Sequence, residues 1–211
     1  EEPAINLLLL DKFLIHIEAA GIQPLICLSK VDLLDAVEEK YPEIEVYSQI
    51  GYSVIKTSAR SKTGLEELKP YLINRTTVLA GQSGVGKSSL LNALHPSLNL
   101  ATQAISNRLG RGRHTTRHVE LIPLPFGGVV ADTPGFSQLD FFQIEPEELG
   151  RLFIEFNQYT AVCKFRGCLH LNEPGCAVKQ AVQESKLAPH RYQHYQQFLT
   201  EIREEQQRKR Y

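Results

Sequence analysis

The feature that most narrows what this chain can fold into is Gly81-Gln82-Ser83-Gly84-Val85-Gly86-Lys87-Ser88, which fits G-x-x-x-x-G-K-[ST] directly after the apolar run Val78-Leu79-Ala80. A buried strand, a glycine-rich turn and a helix opening in that order form a phosphate-binding loop on an α/β scaffold. Converging N–H donors require a tight backbone curl that glycines at 81, 84 and 86 permit. Lys87 would reach the β and γ phosphates, and Ser88 would place its hydroxyl on Mg²⁺. Residues 81 to 89, ending with Ser89 in the first helical turn, are the expected phosphate contacts. A glycine turn that binds nothing would not require Lys and Ser at those two positions.

At 211 residues, with 42% hydrophobic and 22% charged residues, the chain has room for one domain of about 150 residues and an appendage. A net charge of −1 conceals a basic island in which Arg108, Arg111, Arg113, Arg117, His114 and His118 occur without an acid. It is either a phosphate or RNA contact or a solvated loop. No apolar run is long enough to span a bilayer, and Glu1-Glu2-Pro3 is no signal peptide, so a cytoplasmic protein without membrane partners is expected. Methionine is absent even at position 1, which suggests a piece of a longer product.

Leu7, Leu10, Leu14, Ile17 and Ala20 predict a helix over Asn6 to Ala20, ended by Gly21. Pro24 to Leu28 reads as a buried strand running into Ser29-Lys30-Val31-Asp32, and a charged helix is expected over 33–40. Asp32 suits a guanine edge, because one carboxylate accepts from both N1–H and the exocyclic amine; a solvated turn is the plainer reading. Tyr52 to Lys56 predicts a second strand ending in Thr57-Ser58-Ala59-Arg60, either a base-edge turn or a helix cap before Leu65. Thr76 to Ala80 leads into the phosphate loop, and a helix continues to Leu94. His118 to Pro123 and Gly128 to Ala131 predict adjacent strands, the second entering Asp132-Thr133-Pro134-Gly135.

Ser29-Lys30-Val31-Asp32 resembles the N-K-x-D guanine motif of regulatory GTPases, and Thr57-Ser58-Ala59-Arg60 resembles their S-A-K motif. Both precede the phosphate loop, so the resemblance implies a circularly permuted GTPase. It assigns Ser29, Lys30, Val31, Asp32, Ser58 and Ala59 to the base. In the loop 109–117, Thr116 completes the Mg²⁺ shell, with Thr115 as second choice. Asp132-Thr133-Pro134-Gly135 reads as D-x-x-G, in which Asp132 holds a Mg²⁺-bound water and the Gly135 N–H senses the γ-phosphate. Phe136 stands where a water-orienting glutamine is common. His114 is the local candidate to position water, with contact to RNA or solvent as its alternative.

Beyond about Glu145, Leu149 to Phe156 predicts an apolar helix. Cys163, Cys168, His170 and Cys176 then form C-x4-C-x-H-x5-C, a closed set for one structural Zn²⁺. Three cysteines cannot all pair in disulfides, and Cys27 reads as a buried small hydrophobe. Tyr192, Tyr195, Phe198, Leu199 and Ile202 predict a final helix that either docks on RNA or a partner or is simply amphipathic.

G-R-G-R-H-T-T, D-T-P-G-F and the cysteine–histidine set together resemble the small-ribosomal-subunit biogenesis GTPase family, RsgA or YjeQ, from Leu7 to Arg210. The resemblance implies a permuted P-loop GTPase domain at 1–145, with a mostly parallel sheet, and a mainly helical zinc-binding domain at 146–211. It implies GTP/GDP and Mg²⁺ as cofactors and GTP hydrolysis stimulated by the 30S subunit in late maturation near the decoding centre. It also implies binding to 16S rRNA by a monomer. Two departures stand out: no β-rich segment precedes Glu1 where the family has an OB-fold, and Ser29 replaces Asn. A zinc-stapled RNA-binding module with little turnover is the alternative, and an ATP-dependent P-loop enzyme would rest on the phosphate loop alone.

Overall fold

The computed structural model describes residues 3–33, 41–98, 120–132, 141 and 144–209. Two compact units emerge: residues 1–5 with 25–138, and residues 6–24 with 139–211. They do not follow the expected division at residue 145. The first helix, α1 (Leu7–Ala19), belongs with the C-terminal unit. Its buried Ile15 sits in one core with Phe141, Leu149, Phe153, Phe198 and Ile202.

The first unit is α/β. Strand β1 (Leu25–Leu28) pairs in parallel with β2 (Ser53–Lys56). Strand β3 (Thr76–Val78) pairs in parallel with β5 (Val129–Asp132), and β4 (Glu120–Pro123) lies antiparallel to β5. The β4–β5 turn closes with Leu124 N–H donating to the Gly128 carbonyl at 3.0 Å. Between the strands run α2 (Glu43–Gln49), α3 (Leu65–Leu72) and α4 (Lys87–Leu94). Leu68, Leu72, Leu91 and Leu94, at helical spacing, meet Ile55, Ile122 and Val130 from the strands in one core. Helix α2, which buries Ile44 and Tyr47, was not expected from sequence. The helix expected over 33–40 lies outside the described residues except Leu33, which closes a 3-10 turn at Val31–Leu33.

Gly64 opens α3 with φ 72°, where a Cβ would lie 2.0 Å from the Lys56 carbonyl oxygen. Glycine is therefore obligatory at the step from β2 to α3. Cys27, expected as a buried small hydrophobe, is only partly buried against the α/β core; desolvation pushes its thiol up to about 11, so it stays protonated.

The second unit is helical. Asn6 caps α1 by accepting from Leu9 N–H at 2.9 Å, and Gly21 ends it at φ 64° while Ile22 N–H reaches back to the Ile17 carbonyl. The expected helix Leu149–Phe156 is instead α5 (Pro146–Leu152) followed by a 3-10 turn at Ile154–Phe156. The break falls at Phe153, whose ψ of 90° turns the chain so that Phe153 and Phe156 both enter the core, each ring against Tyr195. After α6 (Asn157–Thr160) and α7 (Ala177–Gln183) comes α8 (Pro189–Lys209). The predicted apolar face of α8 is consumed by the core, with Tyr195, Phe198, Leu199 and Ile202 buried, so that face is not a docking surface.

An ion cluster lies inside this unit. Arg191 donates from Nη1 to Asp11 Oδ1 (2.6 Å) and from Nε and Nη2 to Glu155 (2.7 and 2.9 Å). These side chains are 1%, 0% and 3% exposed. Asp11 also pairs with His194, and the guanidinium lies 4.6 Å over the Phe153 ring. Asp11 and Arg191 stand at opposite ends of the sequence, so the cluster ties α1 to α8.

Candidate nucleotide site and metal centre

Parallel strands deliver their carboxyl ends to one edge, where open α/β sheets bind ligands. At the end of β1, Lys30 takes a left-handed conformation (φ 59°), and Val31 N–H donates to the Thr57 carbonyl at 3.2 Å. Thr57 N–H in turn donates to the Leu28 carbonyl at 2.7 Å. The two loops that follow β1 and β2 are thus laced together. Ser58 is buried and structural: its hydroxyl accepts from Ser61 N–H (3.0 Å), and its own N–H donates to the Thr63 carbonyl.

Beside these loops lies a cavity of about 550 Å³ lined by Ser29, Lys30, Asp32, Ala59, Gly86 and Ser89, among others. That volume suits a small molecule. Of the expected base and phosphate contacts, the structure brings these six together, whereas Val31 and Ser58 hold the loops from behind. Leu33, Arg60, Asn92 and Ala93 also line the cavity and were not expected to. Asn92 and Ala93 were legible in principle, since they follow Ser89 at helical spacing on α4.

The phosphate loop rises from the end of β3. Gly81, Gly84 and Gly86 have φ of 146°, 81° and 103°, a curl only glycine adopts without strain. Gly86 caps α4 with no side chain on the first-turn N–H groups, so those donors face the loop. Lys87 Nζ donates to the Gly81 and Gln82 carbonyls at 2.7 and 2.9 Å, holding its charge inside the curl. Ser88 follows it in the first turn. Ser29 Oγ donates to the Val85 carbonyl at 2.6 Å. The shorter residue at the Asn position therefore still reaches the phosphate loop.

Asp132 ends β5, and the register Val78↔Ala131 sets that end beside the start of the phosphate loop. Thr115, Thr116, His114, Gly135 and Phe136 lie outside the described residues.

In the helical unit, Cys163, Cys168, His170 and Cys176 bring four ligand atoms within 4.8 Å of one another. Cys163 Sγ is 4.0 Å from Cys176 Sγ and 3.7 Å from His170 Nδ1, and His170 Nδ1 is 3.3 Å from Cys176 Sγ. A tetrahedral zinc with Zn–S near 2.3 Å has edges of about 3.8 Å, so the set fits this ion, and no disulfide forms. The chemistry agrees: burial, aided by the neighbouring sulfurs, pushes the Cys168 thiol up to about 12, so its thiolate needs a cation beside it. Burial also lowers His170, keeping its imidazole neutral as a ligand must be.

Supporting residues that sequence reasoning missed complete the centre. Thr160 Oγ1 donates to the Phe156 carbonyl and lies 3.5 Å from His170 Nε2, so it can accept the proton that fixes the tautomer. Ala177 and Lys179 N–H groups point at the Cys163 and Cys176 sulfurs. Glu173 accepts from Leu169 and Leu171 N–H, both at 2.8 Å. Tyr192 and Tyr195 donate to the His170 and Leu169 carbonyls, both at 2.6 Å. Glu173, an acid inside the ligand run, was the one legible hint. Among the described residues, no helix is long and apolar enough to cross a membrane.

Comparisons with known proteins agree with this geometry. A family model described as RsgA GTPase matches residues 1–142, and one described as 50S ribosome-binding GTPase matches residues 76–209. A small ribosomal subunit biogenesis GTPase RsgA of Bacillus velezensis is 55% identical over 210 residues, covering 98% of this chain and 71% of that protein. The Bacillus subtilis protein of the same name is 52% identical, covering 98% and 70%. Among solved structures, the circularly permuted GTPase YloQ superposes with a TM-score of 0.79 at 47% identity, covering 97% of this chain and 65% of that one. YjeQ from Thermotoga maritima gives 0.81 at 39% identity, covering 96% and 68%. With one family model spanning residues 1–142 and about half of all positions shared with relatives along nearly the full length, the chain belongs to the RsgA GTPase family.

Proposed function

We propose that the chain binds and hydrolyses GTP as a maturation factor of the small ribosomal subunit, in the cytoplasm, as a monomer on 16S rRNA, with hydrolysis stimulated by the 30S subunit. The observation that carries the nucleotide half is the cavity shared by Asp32, Lys30, Gly86 and Ser89, joined by the Ser29–Val85 hydrogen bond. One surface offers a carboxylate for the guanine edge and a helix N-terminus for phosphate. The choice of subunit rests on relatives matched over 98% of the chain and named for the small subunit. The 50S label attaches only to a match beginning at residue 76.

In this reading Asp32 selects guanine, with Ser29, Lys30, Val31, Ser58 and Ala59 shaping the base loops. Gly81 to Ser89 cradle the phosphates, and Lys87 balances the charge that develops on the γ-phosphoryl oxygens. Ser88 and Thr116 would hold Mg²⁺ and Asp132 a water bound to it, and the ion would supply neutralisation of phosphate charge when bound. The Gly135 N–H senses the γ-phosphate, and His114 orients water in place of the glutamine that Phe136 displaces. Cys163, Cys168, His170 and Cys176 hold a structural zinc.

The test is GTP hydrolysis with and without purified 30S subunits, with 50S subunits and ATP as controls. A rate unchanged by 30S subunits, or a preference for ATP, overturns the reading. Phe136 keeps one alternative in view, an RNA-binding module with little turnover. A His114→Ala chain that binds GTP normally but hydrolyses it more slowly counts against that alternative.

A further inference from the structure

The cysteines of the metal centre are nucleophiles as well as ligands, and they are not equally shielded. Cys163 and Cys168 are half-buried, whereas Cys176 is buried. The stretch between the two accessible sulfurs is open to solvent, with Lys164, Phe165, Arg166 and Gly167 all exposed. Residues 159 to 172 contain no acid, and the carboxylate of Glu173 is engaged by the Leu169 and Leu171 N–H groups. Solvent access and flanking cations are the surroundings in which a thiolate reacts.

Two of the sulfurs are also set for each other. Ala177 N–H points at Cys163 Sγ (3.4 Å) and Lys179 N–H at Cys176 Sγ (3.5 Å), so the start of α7 draws both sulfurs to one place, 4.0 Å apart. A disulfide bond is about 2 Å long, so a further approach of about 2 Å joins them. Between the two in sequence, His170 stands in the left-handed region at φ 54°, which a residue with a Cβ enters at a cost. It is kept there by its place in the ligand set and by the Tyr192 hydroxyl on its carbonyl at 2.6 Å. Breaking the set therefore lets this run relax.

We infer that Cys163 and Cys176 are a peroxide-sensitive thiol pair, whose oxidation to a disulfide opens the metal centre reversibly. The Cys163 thiolate attacks one peroxide oxygen; the S–O bond forms as the O–O bond breaks, giving a sulfenic acid and a hydroxide that a solvent proton converts to water. The Cys176 thiolate then attacks the Cys163 sulfur. The S–S bond forms as the S–O bond breaks, and the departing hydroxide takes a second proton from solvent. In sum, two thiolates lose two electrons, and one peroxide and two protons become two waters. Cys168 and His170 alone remain as ligands, too few for a closed tetrahedral site, so the ion is lost as the disulfide forms. A dithiol reverses the step by thiol–disulfide exchange. The inference rests on the cytoplasmic reading above only for the reducing compartment that returns the pair to thiols.

The test treats the zinc-loaded 211-residue chain with hydrogen peroxide, with reduced glutathione present as a reference thiol. A chromophoric chelator follows zinc release, and alkylation followed by peptide mass spectrometry locates the oxidised sulfurs. One zinc per chain should be released in step with the appearance of a peptide pair joining Cys163 to Cys176, lighter by two hydrogens. Cys168 and Cys27 should stay open to alkylation in denaturant, and Cys27→Ser, outside the set, should release zinc at the parent's rate. Near-UV circular dichroism should fall as the Tyr192 and Tyr195 hydroxyls lose the His170 and Leu169 carbonyls, and dithiothreitol with added zinc should restore it. Zinc still bound once the glutathione is fully oxidised overturns the inference. A disulfide that includes Cys168 or Cys27 also overturns it, as does release through sulfinic or sulfonic acids that dithiothreitol does not reverse. None of these outcomes depends on GTP or on 30S subunits, so the functional reading can fall while this one stands.

Discussion

Replacing Asp11 with Ala probes the least expected feature of the fold, the attachment of the first helix to the C-terminal unit. Asp11 supplies a carboxylate to Arg191, whose guanidinium is 1% exposed, and it also meets His194. Removing it takes a carboxylate away from a buried cation that still faces Glu155 at 2.7 Å. Breaking a buried, hydrogen-bonded pair costs about 3–5 kcal/mol, because the surviving charge is left undercompensated. At a urea m-value of about 1.5 kcal/mol per M, a loss of about 4 kcal/mol lowers the midpoint by about 2.5 M. An exposed pair such as Lys69–Glu66, whose glutamate is 85% exposed, should cost no more than about 0.5 kcal/mol.

The chain has no Trp, so near-UV circular dichroism follows the tyrosines of both units, Tyr192 and Tyr195 among them, and binding of a fluorescent GTP analogue reports the α/β unit separately. Asp11→Ala should move the first midpoint and leave nucleotide affinity unchanged. A triple variant, Asp11→Leu, Glu155→Leu and Arg191→Met, should recover most of the loss, since apolar replacement of a whole buried cluster is often neutral or better. A midpoint shift for Asp11→Ala no larger than that of Glu66→Ala would refute the claim that this cluster fastens helix to unit.

Three further outcomes are expected. Stripping zinc with a chelator, or substituting Cys176→Ser, should unfold the loop between Cys163 and Cys176, seen as loss of near-UV signal and of one bound zinc per chain by elemental analysis. Gly64→Ala should destabilise the α/β unit by about 2–4 kcal/mol in urea titration, since a Cβ 2.0 Å from the Lys56 oxygen at φ 72° cannot be relieved by a side-chain shift. Asp32→Ala should weaken GTP binding by roughly 100-fold in equilibrium titration while leaving ATP binding as it was, because two charge-assisted hydrogen bonds to the base are lost.

The phosphate loop and the zinc set were legible because each demands particular residue types at short spacing. Gly81 and Gly86 announce a curl, and Cys163, Cys168, His170 and Cys176 announce a tetrahedron. The owner of α1 was not legible. Its apolar spacing says that one face is buried but not against what, and Asp11 finds Arg191 only through the tertiary fold. Phe153 misled for a related reason: apolar periodicity continues through it, while the backbone turns there to seat two rings in one core. Ser29 could be judged only in the fold. Its side chain is shorter than the Asn of the motif, yet the approach of Val85 lets its hydroxyl reach a carbonyl 56 positions away in sequence.

The membership of α1 has a consequence for how nucleotide state could travel. The chain passes between the two units at three places, after residue 5, after residue 24 and after residue 138. The second crossing leads directly into β1, whose far end carries Ser29, Lys30 and Asp32, and the third follows β5, whose far end is Asp132. A change at either end of the nucleotide site is therefore one short element away from a covalent link to the helical unit. If α1 belonged to the α/β unit, only the last crossing would remain. Because Asp11 and Arg191 fasten α1 to α8, the loop after β1, proposed above to bind the base, and the segment after β5 each have their own link to the unit that carries the Cys3His set. Asp11→Ala should thus weaken any coupling between nucleotide and the zinc unit while sparing GTP affinity, and intact coupling in that variant would assign it to the Asp132 link alone.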